Sequence, residues 1–431
     1  MSQNQITAEH RVATDNCVRR DKQDTVWMLS LYGTAIGAGI LFLPINAGMN
    51  GIVPLIVLML LAFPMTFLSH RALCRFVLTG TAYHDDITEV VEQHFGVTAG
   101  KIITTFYFFA IYPFLLMYSV AITNTTQSFI VNQLGYPQPP RAIVSIVLTL
   151  ALMSIARLGQ QVIVRAMSML VYPFVAILML LTLYLIPHWN GAIFSHGILA
   201  NGESGFTLLK SIWLLIPVIV FSFNHSPIIS SFALAQKARY GDSVEPNCTR
   251  ILKGSHILMV LTGMLFVCSC VFSLSPQDLL LAKQQNISIL SYLANHFDTP
   301  IMAYIAPLIA FVAISKSFLG HYLGAKEGMR GLMLKFSRKT VTERNVVRND
   351  HIVDIFIIAT CWIVATINPS ILGMIEMMGG PIIALLLFLM PMYAVHKVPA
   401  MQKYRSPVAD AFITGTGLIA ISAILYGFFV S

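Results

Sequence analysis

Glycine, proline and polar residues interrupt two otherwise apolar stretches of this 431-residue chain. The first interruption is GTAIGAG at 33–39, and the second is FSFNHSP at 221–227. Three glycines in seven residues each cost about 1 kcal/mol in helix propensity, which predicts local unwinding. In the second segment, Asn224 or Ser226 can cap a new helix, and Pro227 suits its first turn.

Backbone groups freed at such breaks can bind the two charged ends of an amino acid. Free N–H groups at the start of a half-helix favour a carboxylate, which we expect along residues 34–39. Carbonyl groups around residues 221–223 would attract an ammonium group, while Asn224, His225 or Ser226 can hydrogen-bond a hydroxyl. The alternative is that glycine and proline only permit close packing or a kink. The paired positions of the breaks favour a binding site.

Ionisable residues inside apolar stretches are the next candidates, because burying a charge in a membrane is costly and by default indicates function. Lys316 lies beside Ser317. If the chain is an ion-driven transporter, its ammonium group can take the place of the sodium ion that drives transport, or can exchange the driving proton. The alternative is a lysine that snorkels to the membrane surface or has a structural role. His225 and His321 are possible proton carriers, although a core role is favoured for His321. Glu376 can gate or carry protons, and capping its helix is an equal alternative.

The elements that must position these residues are membrane helices. Hydrophobic residues make up 56% of the chain and charged residues 11%, against roughly 45–50% and about 25% in soluble domains. Charge-free runs of about 20 or more residues predict transmembrane helices rather than a barrel. Eleven helices are predicted, near 25–46, 52–70, 102–131, 142–156, 166–187, 207–235, 254–275, 300–325, 351–367, 370–395 and 408–429.

The two interrupted helices are the first and the sixth, and each begins a group of five. Because five is odd, a second copy of the unit enters the membrane from the opposite side, which predicts the inverted repeat of secondary transporters. The predicted parts are a cytoplasmic tail over 1–24, repeats over 25–187 and 207–395, and an additional helix over 408–429. An Asp86/Glu89 capping box also predicts a short cytoplasmic helix before the third span.

The placement of the basic residues sets the predicted topology. With alternate loops assigned to opposite sides, all but four of the 27 Lys and Arg residues fall on the N-terminal side. Arg141 and Lys283 lie on the other side, and Lys210 and Lys316 lie within spans. This positive-inside pattern predicts a cytoplasmic N-terminus and a periplasmic C-terminus. The net charge of +8 is therefore a topology signal, and nucleic acid is excluded as a partner.

Other function classes lack their motifs. We find no HExxH, no Gly-x-Ser-x-Gly and no paired His and Cys in a shared loop, so we expect no enzyme. No signal peptide is predicted, and the six cysteines are expected to be free thiols. A channel is disfavoured because no ring of repeated polar helices lines a pore. No cofactor, metal or obligate protein partner is expected beyond the lipid bilayer.

Long segments of the chain closely resemble bacterial serine/threonine permeases of the hydroxy/aromatic amino acid permease family. The resemblance runs from about Asp24 to the end of the chain. The segments that carry it are WMLSLYGTAIGAGILFLPINAG at 27–48, FFAIYPFLLMYSVAITN at 108–124, VFSFNHSPIISSFA at 220–233, QNISILSYLANHF at 285–297, AISKSFLGHYLGAKEG at 313–328 and NPSILGMIEMMGGPIIALLLFLMPMYAV at 368–395.

The resemblance implies an inner-membrane symporter of eleven helices with the LeuT-like inverted-repeat fold, which takes up L-serine with protons. It places Lys316 on the helix that forms a sodium site with the first helix in sodium-coupled relatives, so a proton is favoured over sodium as the coupling ion. It assigns substrate contacts to Thr34, Ala35, Gly37, Ala38, Gly39, Ser222, Phe223, Asn224, His225 and Ser226.

We therefore predict a proton-coupled importer of L-serine or a similar small hydroxy amino acid that works by alternating access. Lys316, Ser317, His321 and Glu376 are the predicted coupling or gating residues. An aromatic amino acid:proton symporter of the same family is the first alternative. A non-transporting amino acid sensor is a second, although the longest cytoplasmic loop is only about 25 residues, short for a signalling domain.

Overall fold

The protein, described from a computed structural model, is built from helices throughout the part that the structure describes. The described residues are 21–82, 85–195, 205–297, 299–336, 343–378 and 380–430. Within them the side chain of Ala38, those of 376–378 and a few others at segment ends lie outside the description. The predicted all-helical class is confirmed for these residues.

The first part of the chain, up to the second break, contains eight α-helices. They are α1 (Lys22–Ala35), α2 (Ala38–Met49), α3 (Ile52–Val77), α4 (Ile87–Ser128), α5 (Arg141–Ala156), α6 (Gln160–Leu185), α7 (Ala192–Ser195) and α8 (Gly205–Ser222).

The second part continues with eleven more helices among the described residues. They are α9 (Ser226–Tyr240), α10 (Val244–Ser273), α11 (Pro276–Gln284), α12 (Ile289–His296), α13 (Pro300–Phe336), α14 (Glu343–Ile367), α15 (Ile371–Met378), α16 (Gly380–Ala384), α17 (Met390–Lys397), α18 (Pro399–Gln402) and α19 (Pro407–Val430).

The long helices are suited to cross a bilayer. Among the described residues, seven helical segments are long and apolar enough, and an eighth results when α1 and α2 count as one span bent by 50°. Three shorter apolar helical stretches also occur, over Arg141–Ala156, Leu208–Ser222 and Ile382–Lys397. In the last of these, a π-helical turn over Leu385–Leu389 joins α16 to α17. The protein is therefore a multi-pass membrane protein, while the number of eleven spans stays a prediction.

Short capped helices lie outside the long spans. The predicted capping box is present: the Asp86 carboxylate accepts from the Glu89 N–H at 3.3 Å, and the Glu89 carboxylate accepts from the Asp86 N–H at 3.0 Å. Gly96, at φ 84°, turns the chain into the long part of α4. Helices α11 and α12 are not predicted by the sequence, because both are too short to give a span signal.

Helix α13 lies at the centre of the bundle. It packs most extensively along α4 and also contacts α1, α6 and α9. Gly324 permits the close approach to α9, since a methyl group added there would lie 2.7 Å from the Pro227 carbonyl oxygen. Small residues commonly allow such contacts between membrane helices. The packing places Lys316 and His321 of α13 beside both helix breaks.

Candidate functional site

The first break separates α1 from α2 at Ile36 and Gly37. The Ile36 N–H bonds back to the Tyr32 carbonyl at 2.9 Å, and the Gly37 N–H to the Ala35 carbonyl at 2.9 Å. Thr34 and Ala35 therefore belong to the end of α1, and the Thr34 hydroxyl donates to its own helix. The free N–H groups belong to the start of α2, where Gly39 lies, because the first turn of a helix has no internal acceptors.

The second break separates α8 from α9 over residues 223–225. The Asn224 N–H bonds to the Phe221 carbonyl at 3.2 Å, and the Asn224 side-chain oxygen accepts from the Ser226 N–H at 3.0 Å. Pro227 lies in the first turn of α9, as predicted, while the N-cap position is His225 rather than Asn224 or Ser226. Both interruptions that the sequence predicts are thus present.

The two breaks contact each other directly. The Ser222 hydroxyl donates to the Gly39 carbonyl at 3.3 Å. A methyl group added to Gly39 would lie 2.8 Å from the Ser222 Cα atom, closer than packed atoms approach. Ser222, Phe223, Asn224 and His225 are all buried. The predicted carboxylate segment and the predicted ammonium segment therefore adjoin in the protein interior.

Lys316 lies beside the first break. The adjacent Ser317 hydroxyl donates to the Gly33 carbonyl at 3.3 Å. The Lys316 ammonium nitrogen is fully buried and has no hydrogen-bond partner within the described residues. It lies 3.5 Å from the centre of the Phe174 ring and 5.8 Å from that of Tyr32. A cation over aromatic faces is attracted by the ring quadrupoles, and this contact fixes its position.

His321 borders the second break through an aromatic stack. The Phe114 ring lies between Phe221, at 4.8 Å between centroids, and His321, at 4.9 Å. Tyr118 meets the His321 ring edge-on at 5.0 Å. Phe114 is not among the residues predicted from the sequence. Its signal is its spacing, four residues before Tyr118, which places both rings on one helix face.

One predicted residue, Glu376, and two histidines that were not predicted remain to be placed. Glu376 belongs to α15, and its side chain lies outside the described residues, so its predicted role is untested. His70 of α3 and His256 of α10 were missed, although both are buried beside His225. An ionisable residue in an apolar helix is the signal that would have selected them.

Two clefts lie at opposite ends of α4. One, of about 720 Å³, lies at its N-terminal end and is lined by acidic residues including Asp86 and Glu92 together with Arg330 and Lys335. The other, of about 540 Å³, lies at its C-terminal end and is lined mainly by amide side chains, with Arg141. The breaks lie between these two ends of the bundle.

Comparison with known proteins identifies the family. A profile described as the tryptophan/tyrosine permease family matches residues 25–431. The chain belongs to this family. Its members are permeases by description, so this permease is not an enzyme, and the resemblance found in the sequence is confirmed.

Two curated relatives cover nearly the whole permease. The "Serine transporter SdaC" of Escherichia coli K12 is 61% identical over 409 residues, which cover 95% of each chain. The "Threonine/serine transporter TdcC" of Escherichia fergusonii is 46% identical over 427 residues, covering 95% of this chain and 96% of that one. Both relatives therefore resemble the permease along its length.

Solved structures share the fold at low sequence identity. MhsT in complex with L-phenylalanine has a TM-score of 0.60 at 15% identity and covers 94% of this chain and 97% of its own. A mutant of the manganese transporter of Eremococcus coleocola has a TM-score of 0.62 at 12% identity, with 95% of this chain and 87% of that one covered. The permease thus has the fold of these membrane transporters.

Proposed function

We propose that the permease is a secondary active transporter that imports L-serine, or a similar small hydroxy amino acid, together with protons. The single observation that carries the proposal is the contact between the two helix breaks at Gly39 and Ser222. It brings unpaired backbone donors next to carbonyl acceptors inside the bundle. A zwitterion needs both at a short separation. The names of the serine and threonine/serine relatives support the substrate class.

The proposed substrate contacts divide between the breaks. The N–H groups at the start of α2, at Ala38 and Gly39, receive the carboxylate. The backbone around Ser222 and Phe223 receives the ammonium group. The Asn224 side chain receives the hydroxyl, because its amide group is buried beside His70 and its nitrogen forms no hydrogen bond of good geometry in the described part of the chain. A buried amide donor without a partner is costly, and a bound hydroxyl would satisfy it.

Lys316 takes the proposed place of a coupling sodium ion. Its ammonium group lies against α1 at the first break, held over Phe174. A fixed positive charge there repels a second cation and leaves the proton as the coupling ion. Ser317 contributes by fixing α13 to the Gly33 carbonyl. Serine transport by this protein should therefore need no sodium.

The finer architecture belongs to the same proposal. It comprises eleven spans with a tail over 1–24, inverted repeats over 25–187 and 207–395, an additional helix over 408–429, and an inner-membrane location. The N-terminus is cytoplasmic and the C-terminus periplasmic. The positive-inside distribution of Lys and Arg supports this orientation. The clefts at the two ends of α4 suit access from opposite sides in turn.

Labelled serine uptake into proteoliposomes tests the proposal. The full-length protein is reconstituted, and uptake is measured under an imposed inward proton gradient, with and without sodium. We expect accumulation that follows the proton gradient and is unchanged by sodium. Accumulation that requires a sodium gradient and ignores the proton gradient would contradict the coupling assignment, while no uptake under either gradient would contradict the transport function.

Aromatic amino acid uptake is the second candidate. The family description supports it. The rings of Phe114 and Phe221 beside the second break speak against it. These rings stack on each other at 4.8 Å between centroids and so fill space that an aromatic substrate would need. We expect excess L-serine to block labelled serine uptake and tryptophan or tyrosine not to; the reverse would establish the aromatic substrate.

A further inference from the structure

Three buried imidazoles form a compact group behind the second break. This histidine cluster consists of His70 on α3, His225 at the start of α9 and His256 on α10. Ring centroids lie 3.9 Å apart for His70 and His225, 4.6 Å for His225 and His256, and 5.4 Å for His70 and His256. Each residue is fully buried. None of them forms an ion pair within the described residues.

Hydrogen bonds fix the same tautomer in each ring. The Nδ1 atoms lie 2.7, 3.3 and 2.8 Å from the backbone carbonyl oxygens of Thr66, Phe223 and Leu252 respectively. A carbonyl oxygen only accepts, so each Nδ1 carries the proton of a neutral ring, and each Nε2 is a bare acceptor. Each ring of the cluster therefore carries one basic nitrogen atom in the protein interior.

These acceptors are only partly used. The Nε2 atom of His70 accepts from the backbone N–H of His225 at 3.2 Å. The Nε2 atoms of His225 and His256 form no hydrogen bond in the described part of the protein, although the backbone of Thr66 also interacts with the His256 ring. One potential ligand atom from each ring lies within 4.8 Å of the others. Unsatisfied acceptors in the protein interior carry a desolvation cost, which a bound positive species would offset.

The ring geometry favours a proton over a metal ion as that species. The planes of His70 and His225 are within 12° of parallel and stacked face to face. The nitrogen lone pairs of two stacked rings lie in parallel planes and point in separate directions. The ligands of a metal ion must instead direct their lone pairs at one point, the ion. A divalent ion would also bring two charges to three neutral ligands in the bundle interior, and a proton brings one.

Other titratable groups border the cluster. His321 of α13 interacts electrostatically with the His225 imidazole. On α3, Arg71 directly follows His70 in the chain, and its guanidinium lies 5.0 Å from the centre of the Phe67 ring. That ring in turn meets His256 edge-on at 5.7 Å. Cys74 lies one turn further along α3 and is buried. The positive charge of Arg71 and the mutual repulsion of protonated rings disfavour a second added proton.

We propose that the histidine cluster binds the proton that is transported with the amino acid. The inference rests on the proposed proton symport and names the group that titrates, a role that it assigns to the histidine cluster and not to Lys316. A proton taken from the outer solution binds at an Nε2 atom, while each Nδ1–H keeps its carbonyl acceptor. The same proton is later released to the cytoplasmic solution, so no other reactant is required.

The position of His70 connects this proton to the substrate segment. Its Nε2 lone pair holds the backbone N–H of His225, within the segment that we assign to substrate. When a proton occupies that lone pair, the His225 N–H loses its acceptor, and the start of α9 is released from α3. Substrate binding at residues 222–226 and proton binding at the cluster are therefore coupled through one backbone hydrogen bond.

Proton uptake by the purified full-length protein tests the inference. L-serine is added to detergent-solubilised protein in weakly buffered solution with a pH-indicator dye, and the uptake of about one proton per serine is expected from the linkage between the two sites. His70→Gln and His256→Gln, made separately, keep hydrogen-bonding capacity but cannot bind a proton near neutral pH. We expect both variants to lose this signal and His188→Gln, at an exposed histidine, to keep it.

The same variants are then reconstituted in proteoliposomes. Serine accumulation under a proton gradient should fall by about tenfold or more in each histidine variant, while serine/serine exchange stays within about twofold of wild type. Exchange also reports that the variant is folded. His188→Gln, at an exposed histidine outside the bundle core, is the matched control and should behave as wild type.

Several outcomes would overturn the inference. One is wild-type proton uptake and accumulation in both histidine variants. Another is tight binding of Zn²⁺ by the wild type that His70→Gln abolishes, which would identify a metal site. If one histidine variant fails to exchange serine, the result for the other variant and the pH dependence of wild-type serine affinity test the inference instead. A wild-type serine affinity that does not change with pH would overturn the inference. Wild-type uptake that ignores a proton gradient would instead remove the proposed function itself.

Discussion

Gly39 and Ser222 hold the two interrupted helices in direct contact. The Ser222 hydroxyl donates to the Gly39 carbonyl at 3.3 Å, and the Gly39 Cα faces the Ser222 Cα with no room for a methyl group between them. The two residues lie 183 positions apart in the chain. Their contact brings the two predicted halves of the substrate site together, and the first prediction tests it.

Gly39→Ala should separate the two breaks. The added methyl group would lie 2.8 Å from the Ser222 backbone, so α2 or α8 must shift, and serine affinity should fall by about tenfold or more. Binding is measured with labelled serine on purified protein. Gly415→Ala on α19 is the matched control, because nothing lies within 4 Å of the added methyl group. Equal affinity in both variants would show that the contact is unimportant.

Lys316→Ala should uncouple transport more than it weakens binding. Removal of the buried cation vacates the position beside α1 and over Phe174, so proton-driven serine accumulation should fall by about tenfold or more. Equilibrium serine binding should change less. Lys210→Ala is the control, since Lys210 lies over Tyr426 at the edge of α8, away from the breaks. An equal loss of binding and accumulation would argue against a coupling role.

Asn224→Ala should reduce the preference for a hydroxy amino acid. The lost amide donor is worth about 1 kcal/mol, so serine affinity should fall by about fivefold relative to alanine affinity. Competition of labelled serine by unlabelled serine and alanine measures both. Asn190→Ala, which removes an amide bonded to the Ser273 carbonyl at 3.1 Å, should leave the ratio unchanged. A constant ratio in the Asn224 variant would remove this residue from hydroxyl recognition.

Tyr107→Phe should destabilise the contact between α4 and α13. The buried Tyr107 hydroxyl donates to the Glu327 carboxylate at 3.1 Å. Its loss leaves that acceptor without this donor, at a cost of about 1–3 kcal/mol. The midpoint of thermal unfolding in detergent should therefore fall. Tyr172→Phe, at a ring that is 61% exposed, should not lower it; equal midpoints in the two variants would contradict the prediction.

Asp278 should make the α11–α12 region sensitive to acid. Partial burial works to raise the pKa of this carboxyl, but hydrogen bonds from Ser275 and Tyr292, with His296 nearby, outweigh it and hold the pKa below its usual value. A depressed folded-state pKa gives stability that is present above the unfolded pKa of about 3.9 and is lost as pH falls through the folded value.

Hydrogen exchange of residues 276–296 measures this effect. In the wild type, protection should decrease as pH falls below about 4. Asp278→Asn should be less protected at neutral pH and should lose most of that pH dependence, because the amide does not titrate. A wild-type pH profile in the Asn variant would contradict the assignment to Asp278.

The sequence predicted the interrupted helices well and their cap details less well. Glycine content and a polar FNHSP segment within apolar runs located both breaks to within a few residues. The N-cap of α9 is His225 instead of Asn224 or Ser226. Several polar residues in a row can each cap a helix, and the choice between them depends on the position of neighbouring helices.

The sequence missed groups whose partners are distant in the chain. His70 and His256 are single histidines in separate apolar helices, and nothing local indicates that they meet at His225. Phe114 likewise acquires its place only from Phe221 and His321. Hydropathy and propensity describe neighbours along one helix, whereas these contacts depend on how separate helices pack.

By itself, the sequence determined that the chain lies in a membrane, where its helices break and which cation lies inside, because each property depends on residues adjacent in the chain. Only the tertiary structure decided what faces those residues. It placed Gly39 against Ser222, Lys316 over Phe174 and three imidazoles in one cluster. Helix packing is set by the fit of whole surfaces, and small residues such as Gly324 permit an approach whose partner the sequence does not name.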